Sequence, residues 1–300
     1  MASAKRVICG LSVAVVWLLA IFVLPLVTNS YLPLVAILCA AAIICLFELC
    51  SMLKKKGYCL PFRMLACLTI LWFGALYWSP GIVGSLQPYM IGFISMLLLF
   101  RILLDKNFEK PMETAALSVV AFLYIPYMLS YMIPLAISRS SDVNFSGIFL
   151  VFSIVLITKM SDTGGYFIGS AFGKHKMCPR LSPGKSWEGT IGGYLFSLTA
   201  AAIIVACAHI FHDVGFLSQI RLYAPNWLMI AWFFLTVIVM VTVGILGDLL
   251  ESLFKRQCEV KDSSALFPAM GGFFDTFDSI IFIPVTFIMM MELGRNLLLG

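Results

Sequence analysis

Charge is scarce in this chain. Of its 300 residues only 12% are Asp, Glu, Lys or Arg, against 61% that are apolar. A soluble domain carries roughly 25% charged residues, so this inventory excludes a water-facing surface and suits a lipid-facing one. Histidine is rarer still: His175, His209 and His212 have no metal-ligand spacing and are read as structural. The nine cysteines contain no C-x-x-C pair and no zinc-type spacing, and most sit in apolar runs, where a free thiol behaves as a small hydrophobe. That excludes a disulfide framework. Also missing are a connection long enough for a soluble domain, a convincing internal repeat, and an A-x-A-like cleavage site after the first apolar run, Val7 to Val27. With a second apolar run starting at Leu32, the first reads as a transmembrane helix and not as a signal peptide.

What is present is a succession of runs near the length of about 20 residues that crosses the hydrocarbon layer as a helix. They are Val7 to Val27, Leu32 to Leu53, Met64 to Ser79, Pro88 to Leu104, Thr114 to Ile137, Gly147 to Ser170, Thr190 to Phe211, Trp227 to Leu249 and Asp278 to Leu298. The expected fold is therefore all-α, a polytopic transmembrane bundle of about nine spans. Residues 1–140 are expected to form scaffold helices, and residues 141–300 a catalytic region with cytoplasmic loops. With the N-terminus cytoplasmic, sixteen Lys and Arg fall on the inner side, and only Arg139, Arg221 and Arg295 on the outer side. That asymmetry obeys the positive-inside rule and needs an odd number of spans.

Polar residues concentrate in three places. The first is Lys159 to Tyr166, inside an apolar run. An ionisable residue at mid-helix costs at least about 2.5–3.5 kcal/mol and usually faces a polar cavity. Lys159 and Asp162 are one turn apart and can neutralise each other, which leaves Ser161, Thr163, Gly164 and Gly165 unexplained. The second is the basic loop Gly173 to Gly189. Its Gly184, Lys185 and Ser186 imitate a P-loop, but Pro179 occupies the first glycine position and no strand precedes it, so a P-loop is excluded. What remains is a Pro/Gly-fixed loop entering a helix near Ser186, an arrangement that suits anions. The third runs from Gly247 to Ser279. Asp248, Glu251, Ser252 and Lys255 share one helix face, and Asp275 and Asp278 repeat an i, i+3 pairing where the last span begins. Several carboxylates with lysines suggest a hard cation bound together with phosphate.

The stretch Ser252 to Ser279, with Lys255, Arg256, Lys261, Asp262, Pro268, Gly271, Gly272, Asp275, Asp278 and Ser279, resembles the signature of the phosphatidate cytidylyltransferase (CDP-diacylglycerol synthase) family. Asp162 to Tyr166, Gly173–Lys174 and Ser182 to Gly189 look like a second landmark of that family, in the expected order. Met270 stands where the family usually has histidine, and Thr276 where it usually has arginine.

The resemblance implies a membrane enzyme that transfers a cytidylyl group from CTP to phosphatidate, giving CDP-diacylglycerol and pyrophosphate for phospholipid synthesis. It implies Mg²⁺ on Asp248 and Asp275, with Asp278 as a further ligand or orienting group and Lys255 completing the catalytic set. It also implies Lys185, Arg256 and Lys261 on phosphate, and Ser182, Ser186, Asp162 and Asp262 lining the substrate site. A second, monovalent cation and a homodimer are compatible with it; nucleic acid is not expected. A bacterial-type inner (plasma) membrane is the expected location. Two rivals remain open from the residues alone: a CTP-dependent lipid kinase of the polyprenol type, and an anion transporter using Lys159 and Asp162.

Overall fold

A computed structural model describes residues 23–101, 110–137, 145–210, 226–264 and 271–299. The described residues are overwhelmingly helical. In order they form α1 (Leu32–Lys55), α2 (Phe62–Trp78), α3 (Pro80–Phe100), α4 (Pro111–Ala136), α5 (Phe145–Phe172), α6 (Trp187–Ile210), α7 (Asn226–Gln257), α8 (Phe274–Phe277) and α9 (Ile283–Leu299). Five of these are long and apolar enough to cross a membrane: α1, α4, α5, α6 and α7; α2 and α3 include shorter apolar stretches. Most of the expected first span lies outside the described residues.

Local chemistry places the helix ends. Pro33 and Pro111 sit in first turns, where a missing N–H costs nothing. The carbonyl ends of α1 and α7 carry Lys54–Lys55 and Lys255–Arg256, which oppose the negative pole of the helix. Both helices close in the same way. Gly57 N–H and Tyr58 N–H donate back to Lys54 and Leu53, and Glu259 N–H and Val260 N–H to Arg256 and Lys255. Within α4 the turn Leu123–Tyr127 widens to a π-helix around Pro126, whose ring cannot fit the regular ladder.

Contacts divide the chain into two compact units. The first joins the helices up to Pro134 to the segment Phe254–Phe277; the second comprises Leu135–Leu253 and the chain from Asp278 onward. In the first unit Trp72 is buried and donates to Ser130 at 2.9 Å, while Gln87 donates to the hydroxyls of Tyr127 and Tyr131 at 3.1 and 2.7 Å. Tyr124 packs edge-on against both Phe254 and Phe274.

The second unit is organised by glycine. A Cβ on Gly164 would lie 2.5 Å from the Gly192 carbonyl oxygen, and one on Gly189 would lie 2.8 Å from that of Gly165. One on Gly193 would approach the Ser161 carbonyl to 3.0 Å. Helices α5 and α6 therefore touch backbone to backbone, the arrangement that small residues permit between membrane helices. This explains Gly164 and Gly165, which the charge-pair reading left over. Beside this seam Ile157, Ala201, Val237 and Val241 form a buried cluster.

Two local expectations change. Between α5 and α6 the basic loop is an antiparallel hairpin, β1 (Lys176–Cys178) paired with β2 (Ser182–Ser186). The last long helix begins at Ile283, not at Asp278, which lies in the turn that precedes it.

Candidate functional site

In the second unit the polar residues gather around the turn that holds Asp278 and Ser279. Helix α7 approaches this turn through two glycines. A Cβ on Gly247 would be 2.8 Å from the Asp278 carbonyl oxygen, and one on Gly244 would be 3.3 Å from that of Ser279. The approach brings Asp248, Glu251 and Asp278 together, each offering a carboxylate oxygen within 4.8 Å of the others. Glu251 and Asp278 are buried and Asp248 half-buried. Three carboxylates at that spacing, if all ionised, would repel strongly in a low-dielectric setting. Two neighbouring lysines answer part of the charge. Lys185 Nζ is 2.7 Å from Asp248 Oδ2 and donates at 3.4 Å to the Ile245 carbonyl. Lys159 donates to Asp162 Oδ2 at 2.9 Å and to Ser279 Oγ at 3.3 Å, and Ser279 Oγ donates to Asp162 at 3.1 Å.

Lys185 is delivered by the hairpin. Next to it, Ser186 is buried and its hydroxyl accepts from Gly189 N–H at 3.2 Å, capping α6. Glu188, in the first turn of α6, accepts from the backbone N–H groups of Lys174 and His175, which ties the hairpin to the helix start. Ser182 opens β2 opposite Cys178.

The first unit holds a different arrangement. Lys255 donates to Asp275 Oδ1 at 2.8 Å, and both side chains are largely buried. Asp275 Oδ2 accepts from Gly272 N–H at 2.7 Å and from Ser263 N–H at 3.1 Å. Gly271 turns with φ +95°, and a Cβ there would meet Asp275 Oδ2 at 2.5 Å. Asp262 lies against the same glycine. Arg256 and Lys261 are exposed. Glu48, on α1, is buried and accepts four hydrogen bonds from residues 263, 264, 273 and 274.

The sequence profile of the cytidylyltransferase family matches residues 5–293. The chain belongs to that family. Phosphatidate cytidylyltransferase of Bacillus subtilis is 29% identical over 284 residues, which span 93% of this chain and 94% of the relative. The Staphylococcus saprophyticus protein of the same name is 32% identical over 70% of this chain and 72% of its own length. That of Haemophilus influenzae is 40% identical over a shorter stretch, 45% of this chain and 43% of the relative.

In this cytidylyltransferase the structure brings together Asp248, Asp278 and Lys185, with Asp162 on Lys159 and Ser279. It places Lys255, Asp275, Asp262 and Gly271–Gly272 in one loop assembly. Asp275, expected to share a cation with Asp248, lies in the first unit, where its oxygens accept from Lys255 and two backbone amides. The family-divergent Met270 lies outside the described residues, and Thr276 is half-buried in the turn of α8. Sequence reasoning missed Glu48, and it placed Glu251 on the helix face of Asp248 without assigning it as a ligand. For Glu48 a signal existed: a carboxylate in the apolar run Leu46 to Cys50 is as costly as Lys159 in its own run.

Proposed function

We propose that the chain is a phosphatidate cytidylyltransferase, transferring the cytidylyl group of CTP to phosphatidate in a bacterial-type inner membrane. The observation that carries the reading is the buried convergence of Asp248, Glu251 and Asp278 beside Lys185, in a family whose relatives bear that name. These hard oxygen donors fit Mg²⁺, which takes a few carboxylates and completes its shell with phosphate and water. Asp248, Glu251 and Asp278 would hold it. Bound there, it would neutralise charge developing on the transferred phosphoryl group.

The chain's own residues do the rest. A phosphatidate phosphate oxygen attacks the α-phosphorus of CTP, the bond from that phosphorus to the bridging oxygen of the β-phosphate breaks, and pyrophosphate leaves with the electron pair. The attacking phosphate is already an anion near neutral pH, so no side chain need remove a proton. Lys185 supplies positive charge at the carboxylate cluster, held in place by β2. Lys255, Arg256 and Lys261 offer cations to the triphosphate or the lipid phosphate. Asp275 orients Lys255; Ser182 and Asp162 offer polar groups in the second unit and Asp262 in the first, while Ser186 fixes the start of α6 beside Lys185. Positioning and electrostatic stabilisation dominate such transfers.

The chain crosses the membrane about nine times with its N-terminus cytoplasmic. The five long apolar helices and the sixteen-to-three charge asymmetry support this. A homodimer and a second, monovalent cation belong to the same proposal.

The test uses purified protein with CTP labelled at its α-phosphate, phosphatidate and Mg²⁺. Label enters the lipid fraction if the reading holds. Label recovered as CDP would indicate a lipid kinase instead, and unconsumed CTP would remove the enzyme reading.

A further inference from the structure

Glu48 has no part in the chemistry proposed above, yet it is one of the most thoroughly buried ionisable groups among the described residues, with 2% of its surface exposed. It stands on α1, far in sequence from the motifs. Its carboxylate is an acceptor for four donors arranged as two pairs. Oε2 accepts from Ser263 Oγ at 2.9 Å and from Phe274 N–H at 2.7 Å. Oε1 accepts from Ser264 Oγ at 2.5 Å and from Phe273 N–H at 3.0 Å. Each oxygen thus joins one donor just after Lys261–Asp262 to one donor at the start of α8. No neutral side chain of this length offers two acceptor oxygens. Gly272 is fitted to the same group, since a Cβ there would lie 2.6 Å from Glu48 Oε2 and 1.8 Å from Ser263 Oγ.

Asp275 clamps the same two stretches from the other direction, through Ser263 N–H and Gly272 N–H. Two carboxylates, one from the scaffold and one from the motif itself, therefore tie the residues that follow Lys261 and Asp262 to the start of α8. A fully hydrogen-bonded buried carboxylate specifies geometry strongly, because removing its charge leaves backbone N–H groups with a poorer acceptor or none.

We propose that Glu48 is a positioning residue for the transfer reaction: by holding Ser263 and Ser264 to Phe273 and Phe274 it sets the position from which Lys261 and Asp262 meet the triphosphate. The inference rests on the cytidylyltransferase reading. It is tested with Glu48→Gln, whose amide keeps the size but turns an NH₂ toward one donor pair, and with the double variant Ser263→Ala/Ser264→Ala, which keeps the carboxylate and removes its two hydroxyl donors. Full-length proteins in detergent are assayed with α-labelled CTP, phosphatidate and Mg²⁺, and rates are normalised to folded protein from a thermal melt. Glu48→Gln should lose about 100-fold in kcat/KM for CTP, the scale of an ångström-level misplacement. The double serine variant should raise KM for CTP about tenfold with kcat within about threefold of the wild type. Wild-type constants per folded molecule in Glu48→Gln would overturn the proposal. If Glu48→Gln does not fold, the serine variant decides, and an unchanged KM for CTP overturns it. A wild-type protein that makes no CDP-diacylglycerol would instead remove the activity reading itself.

Discussion

The acidic groups of the two units invite comparison, because the residue types are the same and the surroundings opposite. Glu48 and Asp275 each face backbone amides, with hydroxyls added at Glu48 and an ammonium at Asp275. Asp248, Glu251 and Asp278 face one another, with Lys185 against one of them. The first kind is satisfied by protein donors and fixes a loop. The second concentrates carboxylates at one point, which is where the proposed Mg²⁺ would sit. Counting carboxylates in the sequence does not separate the two, whereas asking what donates to each oxygen does.

The comparison is broken most directly at Asp278. Asp278→Asn should lower turnover about 10²–10³-fold and raise the Mg²⁺ concentration needed for half-maximal activity, measured by label transfer across a Mg²⁺ titration. If that concentration is unchanged, the cluster is not the cation site. Asp275→Asn should behave differently, leaving the Mg²⁺ dependence alone. It removes the carboxylate oxygen that Lys255 donates to at 2.8 Å, and breaking a largely buried pair costs about 3–5 kcal/mol, so the melting temperature should fall clearly.

The glycines sharpen the contrast at smaller scale. Gly247→Ala should push the Asp278 backbone away from α7 and weaken Mg²⁺ activation. Gly192→Ala should mainly destabilise the α5–α6 pair, by about 1–3 kcal/mol, since its Cβ would lie 2.5 Å from Ile168 Cβ. Gly92→Ala, where nothing lies within 4 Å, is the control and should melt with the wild type.

An exposed carboxylate supplies the smallest effect. Glu259 pairs with Lys56 at 2.6 Å, and that hydrogen bond and charge hold its carboxyl below the usual range. A carboxyl depressed by folding stabilises the fold above its unfolded pKa and loses that contribution as pH falls through the folded value. Lys56→Ala should therefore melt slightly below the wild type near neutral pH, with the gap closing as the pH is lowered through the acid range. For so exposed a pair the gap is small.

Much of the helical frame was legible in the sequence because its cause is local. Leu32 to Leu53 and Gly147 to Ser170 are apolar over the length that a helix needs, and the observed α1 and α5 match them within about two residues at each end. The Lys159–Asp162 pair was legible for the same reason, one turn of helix. The β1–β2 hairpin was hidden because Pro179, Pro183 and Gly184 read as irregular loop and the strands are short. Glu48 was hidden because its meaning lies in Ser263, Ser264, Phe273 and Phe274, more than two hundred residues away, and periodicity carries no information at that range. The Gly164–Gly192 contact was half visible: the glycines were conspicuous, but their partner helix was not.

The hairpin carries a consequence for how this enzyme tolerates change. At the end of β2 two adjacent side chains part company, Ser186 packing against the glycines of α5 and α6 and Lys185 reaching Asp248. An insertion of one residue between Lys185 and Ser186 would separate the two, drawing the ammonium off Asp248 while Ser186 stays with the start of α6. The same insertion at the tip, between Pro179 and Leu181, would lengthen a turn and shift neither. Natural length variation in this loop is therefore expected at the tip alone, however freely the bases around it are exchanged.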